Sequence, residues 1–385
     1  MAAQRTMSVP LYRRAAGFTL TELLISLVLG LFTVTAVISV LVGGSETFRT
    51  NDALSRMQEN GRFALEIMRR DLREAGFTGC RRTLRAELPR PPAGTLALDV
   101  GVIRNTLNPA PAGGADALSF AFNFADPILG YEATGDGTGA SWTAGDVAMP
   151  AAAANPLITA ALDDSDIVIV VAPRGPGVGL VAEPLPPDFE LPVVDRDGIA
   201  SGDIVLLTNC SSGSIMQVTN DAGNLAHVTG VGAPGNYMEE IGGGFRVGSE
   251  VFPIERAAYY IANSPVTGRR ALFRNNQEIA SDIEDLEVEY GIDTNVDARI
   301  DQYVTAANVT PIVTAAGILG PGESAWEYVL AARIHLLLSS GEEDNLAEVP
   351  ITNLRYADGT FDAPAGDRRL FQVFSATVSL RNRLL

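Results

Sequence analysis

The chain has 385 residues, enough for more than one hydrophobic core, and its 46 acidic and 28 basic side chains give a net charge of −18. Every basic residue is an arginine, and no basic stripe follows the first 17 residues. This charge balance argues against tight binding of nucleic acid through phosphate neutralisation. Abundant glycine and proline with few aromatic side chains favour β-structure with long loops over a helical bundle.

An apolar run from Phe18 to Val42 follows a basic head that contains Arg5, Arg13 and Arg14. As a helix, a run of about 25 residues rises about 37 Å, which is enough to cross the ~30 Å hydrocarbon core of a bilayer. The basic head predicts that residues 1–17 stay cytoplasmic. The run holds one charge, Glu22, and a carboxylate at the bilayer centre costs roughly 2–3 kcal/mol or more. The carboxylate therefore requires an explanation.

Two general explanations of this segment are open. An ordinary secretory signal peptide has an apolar region of about 7–15 residues and a small-residue cleavage site after it; here the run is longer, and Gly43-Gly44-Ser45 is the nearest candidate site. A plain signal anchor would leave Glu22 near the membrane interface without a role.

A third explanation rests on the stretch Gly17-Phe18-Thr19-Leu20-Thr21-Glu22, which resembles the class III signal of type IV pilins and type II secretion pseudopilins. The resemblance implies that a prepilin peptidase cuts between Gly17 and Phe18 and methylates the new amine of Phe18. It also implies that Glu22 offsets the buried terminal ammonium during assembly. Pairing the two charges would lower the cost of each in lipid. Ser39 lies where many major pilins have a proline.

Residues 45–76 are predicted to continue the helix as an amphipathic segment. Apolar side chains recur at steps of three and four residues, with arginine and glutamate between them, which indicates one apolar stripe. The stripe contains Phe48, Leu54, Met57, Gly61, Leu65, Met68, Leu72 and Ala75. We expect one continuous or gently kinked helix rather than a break at Gly43-Gly44, with Gly76 and Gly79 ending it.

Residues 77–385 are predicted to form a β-rich head. Residues 77–115 are expected to be irregular, and residues 126–164 lack any period and are expected to form a loop-like insertion. Apolar or β-branched runs bounded by turn residues predict strands. These runs are 116–122, 166–172, 203–209, 214–219, 257–262, 287–292, 328–339 and 372–380. The predicted fold is α+β: a long N-terminal helix, membrane-spanning over 18–44, packed on an antiparallel head.

Several head segments resemble PilW-type minor pilins and, more loosely, the J-type pseudopilin of type II secretion. They are Asn209–Thr219, Ile283–Asp293, Ala332–Leu338 and Val378–Arg383. The resemblance implies a structural, non-enzymatic minor pilin that helps to prime a pilus and lies at or near its tip. It implies an inner-membrane protein with a periplasmic head that later joins the surface pilus. The implied partners are prepilin peptidase, other minor pilins, the major pilin, the inner-membrane assembly platform and a tip adhesin.

Two other functions stay open at this point. A type II secretion or competence pseudopilin would carry the same N-terminal signal. A membrane-anchored periplasmic binding domain or enzyme would need a polar pocket with a perturbed acid or base, and the sequence contains no pattern that predicts one. No cofactor is expected.

Cys80 and Cys210 are the two cysteines of the chain. If the head is periplasmic, oxidation is expected, and a Cys80–Cys210 bridge would close a loop of roughly 130 residues worth up to about 5 kcal/mol. The alternative is two buried free thiols.

Residues with catalytic or metal-binding chemistry are few. The two histidines are predicted to be structural: His335 is expected in a core or on a sheet face, and His227 in an exposed loop. The spacing of Asp293, Asn295 and Asp297 resembles the start of an EF-hand loop, but the glycine and the closing glutamate are missing. A solvated acidic loop is therefore favoured over a metal site. Gly242-Gly243-Gly244 is predicted to be a loop.

Overall fold

The computed structural model describes residue 17 and residues 19–79, 103–108, 124, 126–134, 142–144, 157–186, 189–242, 244–320, 324–342 and 345–382. It divides into one unit up to Asp52 and a second from Ala53 to the C-terminus. One helix, α1 (Leu20–Glu74), continues through this boundary without a break at Gly43-Gly44. By length and composition α1 is able to cross a membrane.

The first part of α1 is apolar and exposed, in keeping with its sequence. Five of its hydroxyl groups, those of Ser26, Thr33, Thr35, Ser39 and Thr47, donate to a backbone carbonyl about one turn earlier. Ser39 Oγ donates to the Thr35 carbonyl at 3.0 Å, and Thr35 Oγ1 donates to the Leu31 carbonyl at 2.8 Å. The helix therefore passes through the position of Ser39 with its polar groups satisfied internally, as an apolar surrounding requires.

The described residues of the head form strands and one further helix, all named here in chain order. The strands are β1 (Ile103–Asn105), β2 (Ile128–Ala133), β3 (Trp142–Ala144), β4 (Ile167–Pro173), β5 (Val178–Gly179), β6 (Ile204–Thr208), β7 (Gly213–Gln217), β8 (Glu250–Asn263), β9 (Arg270–Arg274), β10 (Gln277–Ser281), β11 (Ile283–Ile292), β12 (Gln302–Val304), β13 (Val329–Ser339), β14 (Leu354–Tyr356), β15 (Gly359–Phe361) and β16 (Phe371–Ser379). Helix α2 (Ala306–Ala315) follows β12, and a 3₁₀ turn (Ala325–Tyr328) precedes β13.

The described strands form a ten-stranded sheet, a four-stranded sheet and a small hairpin. The large sheet has the path β1-β7-β6-β8-β4-β2-β3, with β5, β9 and β10 attached through β8 and β9. The smaller sheet has the order β12-β11-β13-β16, and β14 pairs with β15. Pairing is antiparallel except between β1 and β7. The predicted α+β class, with a long helix and a mostly antiparallel head, is confirmed.

One hydrophobic core joins the second part of α1 to both sheets. Met57, Leu65, Met68 and Leu72 of α1 are buried among side chains of β4, β8, β11 and β13. Gly61 is buried because the ring of Phe374 lies against it; a Cβ there would lie 2.7 Å from the ring. The predicted stripe is therefore correct from Met57 onward, whereas Phe48 is 73% exposed.

The loop predicted for residues 126–164 is wrong in part. Strands β2 and β3 lie inside this tract, and β2 pairs with β4 in the large sheet. Strand β2 was not predicted because Gly130 interrupts its run of apolar side chains. A glycine is needed there because the backbone of Gly130 lies directly against the hydroxyl of Tyr290. Strand β1 likewise falls in a segment expected to be irregular, while the predicted strand at 116–122 lies outside the described residues.

Candidate functional site

The start of α1 is closed by a reciprocal pair of hydrogen bonds between Thr19 and Glu22. The Thr19 N–H and hydroxyl donate to Glu22 Oε2 at 3.2 and 2.9 Å, and the Glu22 N–H donates to Thr19 Oγ1 at 3.3 Å. This is the capping-box arrangement, in which two otherwise unpaired N–H groups are satisfied. Gly17 and Glu22 are exposed, and Phe18 lies outside the described residues. Thr19 is thus a partner of Glu22 that the sequence interpretation did not assign.

The second part of α1 is fixed to the large sheet by a buried carboxylate, Asp71. Tyr259 Oη donates to Asp71 Oδ2 at 2.6 Å, and Arg274 Nε donates to the same oxygen at 2.9 Å. Arg274 also pairs with Glu255 at 2.5 Å. Burial lowers the pKa of Arg274, but the carboxylates of Glu255 and Asp71 outweigh it and raise the pKa above the ordinary value. The guanidinium therefore stays charged between two acids.

The end of α1 is closed by the C-terminal segment of the chain. The amide of Asn382 donates to the carbonyls of Glu74 and Ala75, at 3.3 and 3.1 Å. These carbonyls have no partner within the helix. Gly76 follows with a φ of 69°, as the predicted helix end requires. The segment that follows β16 is thereby bonded to the end of α1.

A group of carboxylates lines the junction of the two sheets. Asp166 accepts the Ala133 N–H with one oxygen and the Val288 N–H with the other, both at 2.9 Å. It therefore occupies part of the edge of β11 where a neighbouring strand would bond. Burial raises the pKa of Glu287 to about 7, with Asp285 and Glu132 adding to the shift. Burial likewise raises the pKa of Asp285 to about 6.

The outward face of the four-stranded sheet carries a hydrogen-bonded row of three polar side chains. His335 on β13 lies with Nδ1 2.8 Å from Ser375 Oγ on β16 and Nε2 3.2 Å from Glu289 Oε2 on β11. Arg333 donates to the same Glu289 oxygen at 2.9 Å and stacks on Tyr303. His335 thus lies on a sheet face, as its apolar strand predicted, but with partners that the sequence could not identify.

His227 does not lie in an exposed loop, and that prediction is wrong. The side chain is buried, and Nε2 lies 2.8 Å from the carbonyl oxygen of Glu239. Burial lowers the pKa of His227. The glycine- and asparagine-rich sequence around it folds into turns that close over Leu225 and Ala226, so local polarity was a poor guide to burial.

The acidic loop at Asp293, Asn295 and Asp297 binds its own backbone. Asp293 accepts the N–H groups of Asn295, Val296 and Ala298 at 2.6 to 3.1 Å, and Asp301 accepts the N–H and hydroxyl of Thr294. No group of three or more metal-ligating side chains occurs among the described residues. The oxygens of Asp293 are therefore engaged in shaping the turn.

The surroundings of Cys210 are defined although Cys80 lies outside the described residues. Thr208 Oγ1, two residues before Cys210, donates to the Thr78 carbonyl at 3.1 Å. Gly79, with a φ of 85°, packs against the same threonine. The segments that lead to the two cysteines therefore lie side by side.

Comparison with known proteins finds a similarity in the C-terminal part of the head. Residues 258–382 match the family model of PilW, the type IV pilus-assembly protein W, from within β8 to just beyond β16. No curated protein matches the chain. A type IV-like pilin from Thermus thermophilus is similar, with 17% identity over 48% of this chain and 86% of its own, and a TM-score of 0.19. Residues 258–382 are thus similar to a type IV pilus-assembly protein, on a chain whose N-terminal helix is apolar and long enough to cross a membrane.

Proposed function

We propose that the protein is a minor type IV pilin, a non-enzymatic structural subunit that helps to prime a pilus and lies at or near its tip. The observation that carries the proposal is α1, whose exposed apolar first part is long enough to span a bilayer, on a chain that also has a PilW-like head segment. An exposed apolar helix needs a lipid or protein environment. The membrane supplies lipid first, and a fibre of packed helices then supplies a protein environment.

In this proposal the chain is inserted with residues 1–17 in the cytoplasm and the head in the periplasm. Prepilin peptidase removes the leader after Gly17 and methylates the amine of Phe18. Glu22 then pairs with a terminal ammonium, its own or that of a neighbouring subunit, as the chain leaves the membrane for the fibre. Other minor pilins, the major pilin and the inner-membrane platform are the partners at this step, and a tip adhesin is the partner at the surface.

Mass spectrometry of the N-terminus tests the processing step. The purified protein should begin at N-methyl-Phe18, and Gly17→Ala should leave the uncut precursor. An intact Met1, or a chain that starts near Ser45, would contradict the proposal and favour a signal anchor or a cleaved signal peptide.

A pair of glutamate variants tests the assembly step. Glu22→Ala should enter the membrane normally but fail to join sheared pilus fractions, whereas Glu46→Ala, on the same helix beyond the apolar run, should assemble like the wild type. Both variants remove one carboxylate from α1, so a general loss of charge does not explain a difference between them. Wild-type amounts of Glu22→Ala in pili would refute the role of this carboxylate.

The phenotype of a deletion strain distinguishes a minor pilin from a secretion or competence pseudopilin. A deletion strain of a pilus subunit loses surface pili and twitching, while a secretion or competence subunit loses export or uptake with pili intact. The PilW-like segment supports the first outcome.

We also propose that Cys80 and Cys210 form a disulfide. The contact of Thr78 and Gly79 with Thr208 supports it, as does the finding that no cysteine among the described residues is free. The intact protein should be blocked to iodoacetamide until it is reduced and should then take up two labels. Uptake of two labels by the unreduced, unfolded chain would disprove the bridge.

A further inference from the structure

Ser375 is an exposed residue whose hydroxyl is hydrogen-bonded to a buried base. It lies on β16, the last strand of the four-stranded sheet among the described residues. Its Oγ lies 2.8 Å from His335 Nδ1, and the other ring nitrogen lies 3.2 Å from Glu289 Oε2. His335 and Glu289 are buried, whereas Ser375 is exposed. A nucleophile, a base and a group that orients the base thus follow one another across three adjacent strands.

The strand register explains why these side chains meet. His335 and Ser375 are direct partners in the pairing of β13 with β16. The bonds from the Leu380 N–H to the Leu330 carbonyl and from the Ser340 N–H to the Leu370 carbonyl mark the hydrogen-bonded pairs of this ladder. Counting inward by twos places His335 and Ser375 among the non-hydrogen-bonded pairs, whose side chains lie closer together. The N–H of Ser375 is therefore directed away from β13, toward the edge of the sheet.

The hydrogen-bond pattern also assigns the tautomer of His335. An ionised carboxylate only accepts, so Nε2 carries the proton that Glu289 binds. Nδ1 is then the acceptor for the Ser375 hydroxyl, which is the arrangement that a general base requires. Arg333 bonds to the same oxygen of Glu289 and holds the carboxylate in place.

We propose that Ser375 is the acceptor of an acyl group from an activated carboxylic ester. Ser375 Oγ forms a bond to the carbonyl carbon while its proton passes to His335 Nδ1. The ester C–O bond then breaks, and the leaving alkoxide takes the proton from His335. The products are O-acyl-Ser375 and an alcohol, with His335 neutral again. The N–H of Ser375, at the sheet edge, donates a hydrogen bond to the negative oxygen of the tetrahedral intermediate.

The full-length protein in detergent is treated with p-nitrophenyl acetate, and acetylated peptides are quantified by mass spectrometry. Ser379 is the internal control, because it is an exposed serine on the same strand and face but lies opposite Ala331 rather than a histidine. Ser375 should be acetylated about 100-fold faster or more, the smaller end of the usual gain from a positioned base. Equal rates at the two serines would overturn the proposal.

Two variants test whether His335 acts as a general base or has only a structural role. His335→Gln, tested at a temperature where its melting curve shows it folded, should slow acetylation of Ser375 by about the same factor and leave Ser379 unchanged. Glu289→Gln should lower the pH at which the rate is half-maximal, because the carboxylate no longer stabilises the imidazolium. An unchanged Ser375 rate in folded His335→Gln, or an unchanged pH profile in Glu289→Gln, would refute the assigned roles.

Discussion

The hydrogen bonds to Asp71 predict the cost of neutralising one carboxylate on α1. Asp71→Asn keeps the volume of the side chain but removes its charge. Its Oδ2 accepts from Tyr259 at 2.6 Å and from Arg274 at 2.9 Å, and its side chain is only 4% exposed. The substitution therefore acts on the attachment of α1 to the sheet without opening a cavity.

The expected loss of stability follows from those two bonds. A hydrogen bond to a charged group contributes about 1.5–3 kcal/mol, and removing one partner of a buried ion pair costs about 3–5 kcal/mol. The asparagine oxygen still accepts one bond, and Arg274 retains Glu255, which places Asp71→Asn at about 2–3 kcal/mol. Tyr259→Phe should cost about 1.5–3 kcal/mol alone and about 1 kcal/mol less when Asp71 is already Asn.

Urea unfolding of the full-length protein in detergent measures these differences. Tryptophan fluorescence is a suitable signal because Trp326 is fully buried in the core that α1 shares. Glu66→Gln is the matched control: its salt bridge with Arg69 is 4.0 Å long and exposed, so its loss should cost less than about 1 kcal/mol. Hydrogen exchange should also quicken in residues 57–74 of Asp71→Asn. If Asp71→Asn and Glu66→Gln unfold within about 0.5 kcal/mol of each other, the network does not anchor the helix.

Two further substitutions test the packing and the buried acids. Gly61→Ala should lower stability by about 1–3 kcal/mol because its Cβ would collide with the Phe374 ring, although alanine favours a free helix by about 1 kcal/mol; a higher melting temperature would contradict the packing. The folded-state pKa values of Glu287 and Asp285 lie above those of free carboxylic acids, so stability should fall, by about 1.4 kcal/mol for each unit of pKa shift, as pH rises from about 4 to 7. Glu287→Gln should flatten that fall and stabilise the head at pH 8; a melting temperature that still drops equally between pH 5 and 8 would contradict it.

The long, periodic elements were predictable from the sequence because their patterns are local. In α1 the buried side chains recur every three or four residues from Met57 to Leu72. In strands β4 and β13 nearly every side chain is buried. Helix α2 was missed because Pro311 interrupts its pattern. Its first turn is instead set by Glu132 of a distant strand, which hydrogen-bonds to Thr305 and Ala306.

The polar partners could not be predicted, because each depends on strands that are far apart in sequence. Asp71 continues the spacing of Gly61, Ala64 and Met68, so a charge on the buried face was visible, but Arg274 as its partner was not. The His335 row requires the register of three strands at once, and a one-residue slip would move Ser375 to the other face. Sequence periodicity gives the face of a side chain and leaves its cross-strand neighbours undetermined.

Two carboxylates near the ends of α1, Asp71 and Glu22, have different surroundings. Asp71 is buried and fully bonded within the head, so it stabilises the fold. Glu22 is exposed, and within the described part of the chain Thr19 bonds only its Oε2, which leaves Oε1 for a cation from outside. The helix cap and the proposed ion pair with a terminal ammonium would therefore use different oxygens. Glu22→Gln separates them, because the amide oxygen still caps the helix while the charge is lost; assembly of that variant at wild-type levels would mean that capping alone explains the carboxylate.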